Sequence, residues 1–505
     1  MTANIVKNTL FLKRRQESPY NSGFYKEKDK HANYTSYFSN FAKNNFTIIM
    51  SEQLFDDLHI FHSLANELIT DFNEKGISSK INSKDLLQKF NLSLNNEGLE
   101  DKELKELLKD LILHTPKTSG KLFFNQLFGG LNSKAVLGDL LAVLLNNSMA
   151  TYKIAGPMVE VEKEILRKIS QLISYPDSSG GTLPTGGSMS NFMALIISRD
   201  KKCSKSRISG NTQNLICYTS ENSHYSIGKN ASFSGIGREN VRYIKTNEKG
   251  EMIPDLLRTE IEKDKEKAFI PFFVNATLGT TVMGAIDPIY DISKICKQHD
   301  LWLHIDGCYS GSVIFSKKYK HFVKGIEHSD SFCFNPHKTL GTPLSTSIFL
   351  VKNQKDLHDS FSNKAEYLYQ TDDDEYNLGQ TSFECGRRNN ALKFWTLWKS
   401  VGTNGIAKMV DQNYHLANVA RDYITNNKDY TLYSFEDSLS VCFNYKNYDP
   451  KIICTELYNH NKLMIGYGKH KGNEFIRLVS INRENSEENI LNVFKVIETF
   501  CKNNL

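Results

Sequence analysis

Lys338 closes the run Ser331-Phe332-Cys333-Phe334-Asn335-Pro336-His337-Lys338, a short apolar stretch that ends in a polar turn. Pro336 has no N–H to give a sheet ladder, so the strand stops before it and the amine is delivered at a strand's end, where function concentrates. A lysine after a strand is ordinarily a solvated surface residue, and alone it decides nothing. Leu301-Trp302-Leu303-His304-Ile305-Asp306 is a second apolar run, ending in a carboxylate that by itself reads equally as a helix cap or turn residue. In Thr185-Gly186-Gly187-Ser188, two glycines let the backbone approach an anion. The helix that follows, with Phe192, Leu195 and Ile196, turns free N–H groups toward it. A Gly-rich loop without company is plain turn chemistry.

Taken together, the amine, the carboxylate and the anion cradle are what pyridoxal phosphate needs from a protein. An ionised Asp306 against the pyridine nitrogen keeps that nitrogen protonated. The protonated ring then accepts electrons when a bond at a substrate's α-carbon breaks.

These groups must be held by a scaffold, and its pattern changes along the chain. Leu54, Leu58, Phe61, Leu64, Leu68 and Ile69 recur at helical spacing, as do apolar residues of Leu104 to Leu113, of Ala135 to Asn146, and Met158, Val161, Ile165, Ile169 and Leu172. Between them Leu122 to Gly130 breaks the period. From about Gly180, apolar runs at Leu215–Tyr218, Val241–Ile244, Ile270–Val274, Leu301–Ile305, Ser331–Phe334 and Ser347–Val351 alternate with helical or loop connections. That alternation predicts an α/β fold with a mostly parallel sheet covered on both faces. The last stretch mixes helices (Gly405–Asn426, Glu487–Cys501) with strands (Leu439–Tyr445, Phe475–Ser480), a small α+β domain. The expected organisation is a mobile basic arm over 1–50, an N-terminal helical segment over 51–121, a large cofactor-binding domain over 122–400 and a small domain over 401–505.

The net charge of +5 is carried by residues 1–50, with eight Lys and Arg against three acids, so the remaining chain is neutral. A neutral body lacks the basic face of a nucleic-acid groove. No apolar run reaches the ~18 residues of a membrane span. Nine cysteines, an odd number with no CxxC pair and no His/Cys cluster at metal spacing, predict reduced thiols, no metal and a cytoplasmic setting. The N-terminus lacks the uninterrupted apolar core and small-residue cleavage site expected of a secretory signal, Leu10 to Arg15 is basic enough for a targeting role, and Met50-Ser51 offers an alternative start.

The motifs Asn335-Pro336-His337-Lys338, His304-Ile305-Asp306, Asn275-Ala276-Thr277-Leu278-Gly279-Thr280-Thr281 and Gly186-Gly187-Ser188-Met189-Ser190-Asn191 resemble, in matching order, those of the group II pyridoxal-phosphate amino-acid decarboxylases. Phe123-Phe124-Asn125-Gln126-Leu127, Ser220-Glu221-Asn222-Ser223-His224-Tyr225-Ser226 and Tyr367-Leu368-Tyr369-Gln370 resemble its glutamate, cysteine sulfinate and aspartate branch. The resemblance implies the aspartate-aminotransferase-like fold type I and a homodimer with shared active sites. It implies that Lys338 carries the cofactor as a Schiff base, that Asp306 pairs with the pyridinium and that His224 stacks on the ring. Gly187, Ser188 and Asn335 are then expected to hold the phosphate, and Thr277 the ring substituents. Tyr367, in the polar stretch Asn363 to Gly379, corresponds to the tyrosine that reprotonates the α-carbon, which favours decarboxylation over the aldehyde-forming side branch.

The chain departs from the family in reading Asp306-Gly307-Cys308-Tyr309-Ser310-Gly311 where Asp-Ala-Ala-Trp-Gly-Gly is common. Cys308 puts a larger, polarizable atom against the cofactor ring. Arg477 occupies the place of the arginine that grips an acidic substrate, and a guanidinium suits a carboxylate or sulfinate through paired hydrogen bonds. Gln126 lines the same end of the expected site. Phe128 stands where the branch's glutamate enzymes have serine and its cysteine sulfinate and aspartate enzymes have phenylalanine. The expectation is therefore decarboxylation of cysteine sulfinate to hypotaurine or of aspartate to β-alanine, ahead of glutamate. An aminotransferase and a catalytically inactive binding module are the other readings.

Overall fold

The structure is a computed structural model that describes residues 52–72, 76–77, 81–369 and 374–505. The arm over 1–50, Ser51 and Gln370 lie outside the described residues. The chain divides into two units, Met1–Glu67 and Leu68–Leu505. In the first, the described residues 52–67 are helical, as the spacing of Leu54, Leu58, Phe61 and Leu64 predicts.

In the second unit the switch from helical to alternating pattern builds two sheets. β1 (Phe123–Phe124) belongs to the smaller one. The large sheet is made of β2 (Gly180–Thr182), β3 (Leu215–Ser220), β4 (Val241–Ile244), β5 (Ile270–Thr277), β6 (Trp302–Gly307), β7 (Ser331–Phe334) and β8 (Ile348–Val351), in the order β2-β8-β7-β6-β5-β3-β4. The pairs among β3 to β7 are parallel, and β8 runs antiparallel to both β7 and β2. β2 went unnoticed in the sequence because Gly180-Gly181-Thr182 carries no β-branched or aromatic run.

Burial on both faces explains the nearly continuous apolar strands. Phe332 and Phe334 point to one face of β7, where they meet Ile305, Phe394 and Leu397. Cys333 points to the other, among Met193, Ala194 and Phe349. Emptying a fully buried position such as Phe332 to alanine costs about 3–5 kcal/mol. The helix Ser133–Leu145 starts at Asn132, whose side chain accepts from the N–H groups of Lys134 and Ala135.

The second sheet gathers β9 (Tyr430–Leu432), β10 (Ser440–Tyr445), β11 (Met464–His470) and β12 (Asn473–Val479) in the order β1-β11-β12-β10-β9. β1 pairs in parallel with β11 through Phe123–Met464 and Phe124–Ile465. The helix Ala391–Thr425 connects the sheets and is broken at Gly402 (φ 66°), close to the expected boundary at 400. Among the described residues, no helix is long and apolar enough to cross a membrane.

Candidate active site

Parallel strands that end together present their following loops to one rim, and the candidate residues lie there. Thr277 ends β5, Asp306 lies near the end of β6, and Lys338 follows β7 in the short helix Pro336–Thr339. A cavity of about 220 Å³ opens at this rim. Its walls contain Gly187, Ser188, His224, Thr277, Asp306, Cys308, Asn335 and Lys338, expected from the sequence, and also Asn191, Tyr225, Gly279, Thr281, Tyr309 and His337.

Asp306 is buried and held by two donors, Asn191 Nδ2 to its Oδ2 (2.8 Å) and the Cys308 N–H to its Oδ1 (3.0 Å). Burial alone would push this carboxyl up. The Asn191 bond, the Cys308 contact and the nearby His304 and His224 outweigh it and hold the group below its ordinary range. His304 accounts for the orientation of Asn191, because its Nε2 lies 3.0 Å from Asn191 Oδ1 and its Nδ1 2.9 Å from Ser331 Oγ. Burial first pushes the His304 imidazole down to about 4, so it is neutral. His224 is also pushed down, by burial first and by Lys338, with Asp306 opposing. Its Nδ1 accepts from the Ser226 N–H at 3.3 Å.

The helix Gly187–Lys202, which carries Asn191, begins at the same cavity. A Cβ on Gly187 would collide with Cys308 Sγ and come within 3.1 Å of Asn335 Nδ2, so only glycine fits this approach. The Asn335 Oδ1 accepts from Ser347 Oγ at 2.7 Å, which leaves its amide N–H groups facing the Gly187 turn. The Thr277 N–H donates to Asp287 Oδ2 at 2.7 Å, and burial pushes that carboxyl up to about 7.

The other expected residues lie off this wall. Arg477, in β12, donates from Nη1 to the carbonyl of Thr281 (2.9 Å) and from Nη2 to that of Asn125 (2.7 Å). It therefore sits directly behind Thr281, and its buried Nε has no partner. Gln126 is exposed, and half-buried Phe128 packs its ring 5.9 Å from that of Phe123. Tyr367 is 80% exposed and does not line the cavity.

Asn191 was legible in principle, since it lies four residues after Gly187 on one helix and shares its face. Cys333 was not, because its place beside Asp306 comes from the β6–β7 register. That register brings the Asp306 carboxylate and the Cys308 and Cys333 sulfurs within 4.8 Å of one another, a cluster invisible in linear spacing.

The residues fit pyridoxal phosphate. A buried carboxylate kept ionised suits a pyridinium N–H. A helix start with room for nothing larger than glycine, flanked by an amide donor, suits a phosphate. Lys338 lines the same cavity.

Residues 84–446 match the family model described as the pyridoxal-dependent decarboxylase conserved domain. The chain is 34% identical over 445 residues to the human acidic amino acid decarboxylase GADL1, covering 83% of this chain and 85% of that protein. It is 34% identical over 424 residues to human cysteine sulfinic acid decarboxylase, covering 79% and 86%. The crystal structure of mouse CSAD superposes with a TM-score of 0.84 at 30% identity, covering 89% of this chain and 98% of that one. The mostly parallel large sheet with its antiparallel strand, in a chain that also builds a smaller second sheet, is fold type I. On sequence, fold and site chemistry the chain belongs to the pyridoxal-dependent decarboxylase family, a carboxy-lyase that works with pyridoxal phosphate.

Proposed function

We propose that this protein removes the α-carboxylate of a small acidic amino acid as carbon dioxide, with cysteine sulfinate or aspartate preferred over glutamate. The observation that carries this reading is the buried, ionised Asp306 facing the same cavity as Lys338. Bound there, pyridoxal phosphate supplies the sink for the electron pair left when the α-carboxylate departs.

The chain's own residues do the rest. Lys338 would anchor the cofactor through its amine, Asp306 would hold a proton on the ring nitrogen, and Gly187, Ser188 and Asn335 would bind the phosphate. With the cofactor bound, His224 would cover the ring face and Thr277 and Cys308 would border it, while Tyr367, exposed and outside the cavity in the single chain, would return a proton to the α-carbon. Arg477, tied to the carbonyls of Asn125 and Thr281, sets the acidic end of the site with Gln126 and Phe128. Phe128 shortens that end. One methylene is worth only about 1–3 kcal/mol in such a pocket, so some turnover of glutamate is expected. The names of the two human relatives, both acidic-substrate decarboxylases, support this choice.

Two copies form the working unit in this reading. The helix Ser133–Leu145 leaves Leu137, Leu140, Leu141, Val143, Leu144 and Leu145 exposed, an apolar face of the kind homodimers cover. A cytoplasmic location is supported by the nine cysteines, all free.

The test is carbon dioxide release measured side by side on cysteine sulfinate, aspartate, glutamate and an aromatic amino acid. Glutamate as best substrate overturns the role of Phe128, and an aromatic preference overturns that of Arg477. Pyridoxamine phosphate accumulating without carbon dioxide identifies an aminotransferase, and no cofactor absorbance at all identifies a binding module.

A further inference from the structure

Cys308 and Cys333 bring their sulfurs to 3.5 Å in the wall of the cofactor cavity. Both are buried, yet they are not equivalent: Cys308 lines the cavity, and Cys333 lies behind it against Asn191 and His304. The nearest Asp306 oxygen is 3.9 Å from Cys333 Sγ. Nothing in the chemistry of decarboxylation uses either thiol.

We infer that Cys308 and Cys333 form an oxidisable dithiol guarded by the cofactor: with the cavity open, a hydroperoxide converts the pair to a disulfide, and with pyridoxal phosphate in place it does not. This inference rests on the reading that the cofactor fills this cavity. Closing the bond takes the sulfurs from 3.5 Å to about 2.0 Å.

Cys308 is the attacking thiol because only it meets the cavity. The contact with Cys333 pulls its acidity toward the thiolate. Burial and Asp306 push the other way and prevail, while the Lys338 ammonium again favours the thiolate. Cys333 stays well above the ordinary range, by burial first. Cys308 loses its proton and its sulfur attacks one oxygen of hydrogen peroxide. The O–O bond breaks, leaving a sulfenic acid and, after the proton is taken up, one water. The Cys333 sulfur then attacks the Cys308 sulfur, the S–S bond forms, and the S–O bond breaks to release a second water with the Cys333 proton. Two thiols are oxidised and one peroxide is reduced to two waters. Because the Cys308 N–H holds Asp306, the oxidised pair disturbs the partner of the pyridine nitrogen and slows cofactor return.

The test exposes full-length cofactor-free protein and holoenzyme to hydrogen peroxide with a chelator present, then alkylates the free thiols and maps the peptides without reduction. The expected result is a Cys308–Cys333 cross-link in the cofactor-free protein, reversed by dithiothreitol and formed at least ten-fold more slowly in the holoenzyme. The oxidised protein should rebind pyridoxal phosphate at least ten-fold more slowly until reduced. Cys333→Ala should leave a sulfenic acid on Cys308 that dimedone traps. Equal rates in both forms, or oxygen added to Cys308 with no cross-link in wild type, overturns the inference. A holoenzyme preparation that shows no cofactor absorbance overturns instead the reading on which it rests.

Discussion

Asn191 Nδ2 lies 2.8 Å from Asp306 Oδ2, and this contact ends a directed chain of donors. The Trp302 indole can only donate, and it does so to Ser331 Oγ at 2.8 Å. With Asn191 Nδ2 spent on Asp306, the Asn191 oxygen must accept the proton on His304 Nε2, and neutral His304 must accept from Ser331 through Nδ1. Replacing Asn191 by alanine removes a hydrogen bond to a charged group, worth about 1.5–3 kcal/mol, or roughly 10- to 100-fold in cofactor affinity. Since that bond lowers the Asp306 value, its loss should also move the acid limb of cofactor retention to higher pH. Spectrophotometric titration checks both, and an unmoved acid limb rejects the role.

His304 and His337 are each held near 4 by burial. Both values lie below the unfolded value of about 6.5, so between these pH values the unfolded chain binds protons that the native chain does not. Their contribution is complete above 6.5 and is lost as pH falls toward 4, on the order of 3 kcal/mol for each. Melting temperature should drop across that window, and His304→Gln should flatten part of the drop. A melting temperature constant from pH 7 to 4.5 contradicts the burial of both rings.

Lys338→Ala should abolish the visible absorbance of lysine-bound pyridoxal phosphate and carbon dioxide release together. Full turnover in this variant would end the reading of Lys338 as the anchor.

Arg477 spends two donors on the carbonyls of Asn125 and Thr281, which a lysine's single ammonium cannot reach in the same fork. Arg477→Lys should raise KM for acidic substrates by about ten-fold or more, the equivalent of one charged hydrogen bond. The check is KM for aspartate set against KM for an aromatic amino acid; a parallel change in both points to a purely structural arginine.

Much of this was readable from residue order. The strand bearing Asp306 and the strand that leads to Lys338 announce themselves by apolar runs, and the Gly187 turn by its glycines, because local composition suffices to specify each. Pairing was harder. β1 is only Phe123-Phe124, and nothing local shows that its partner is Met464-Ile465. The same holds for Cys333, brought to Asp306 by strand register, and for Ser331, brought to His304 in the same way. Arg477 was found by its resemblance, but its place behind Thr281 depends on how two distant sheets meet. Tyr367, read as the proton donor, is exposed, and its neighbours in the sequence carry no signal of where its hydroxyl would go.

The pairing of Phe123 with Met464 also sets an order of assembly. During synthesis the residues of β1 emerge long before β11 exists, so an apolar dipeptide waits unpaired while the seven strands of the large sheet are made. Contacts this distant in sequence close late, because the entropy of the intervening loop must be overcome first. The smaller sheet is therefore the last part of the molecule to mature. Chains stopped short of β11 would carry the cofactor-binding strands yet leave Phe123 and Phe124 bare, open to association with other nascent chains.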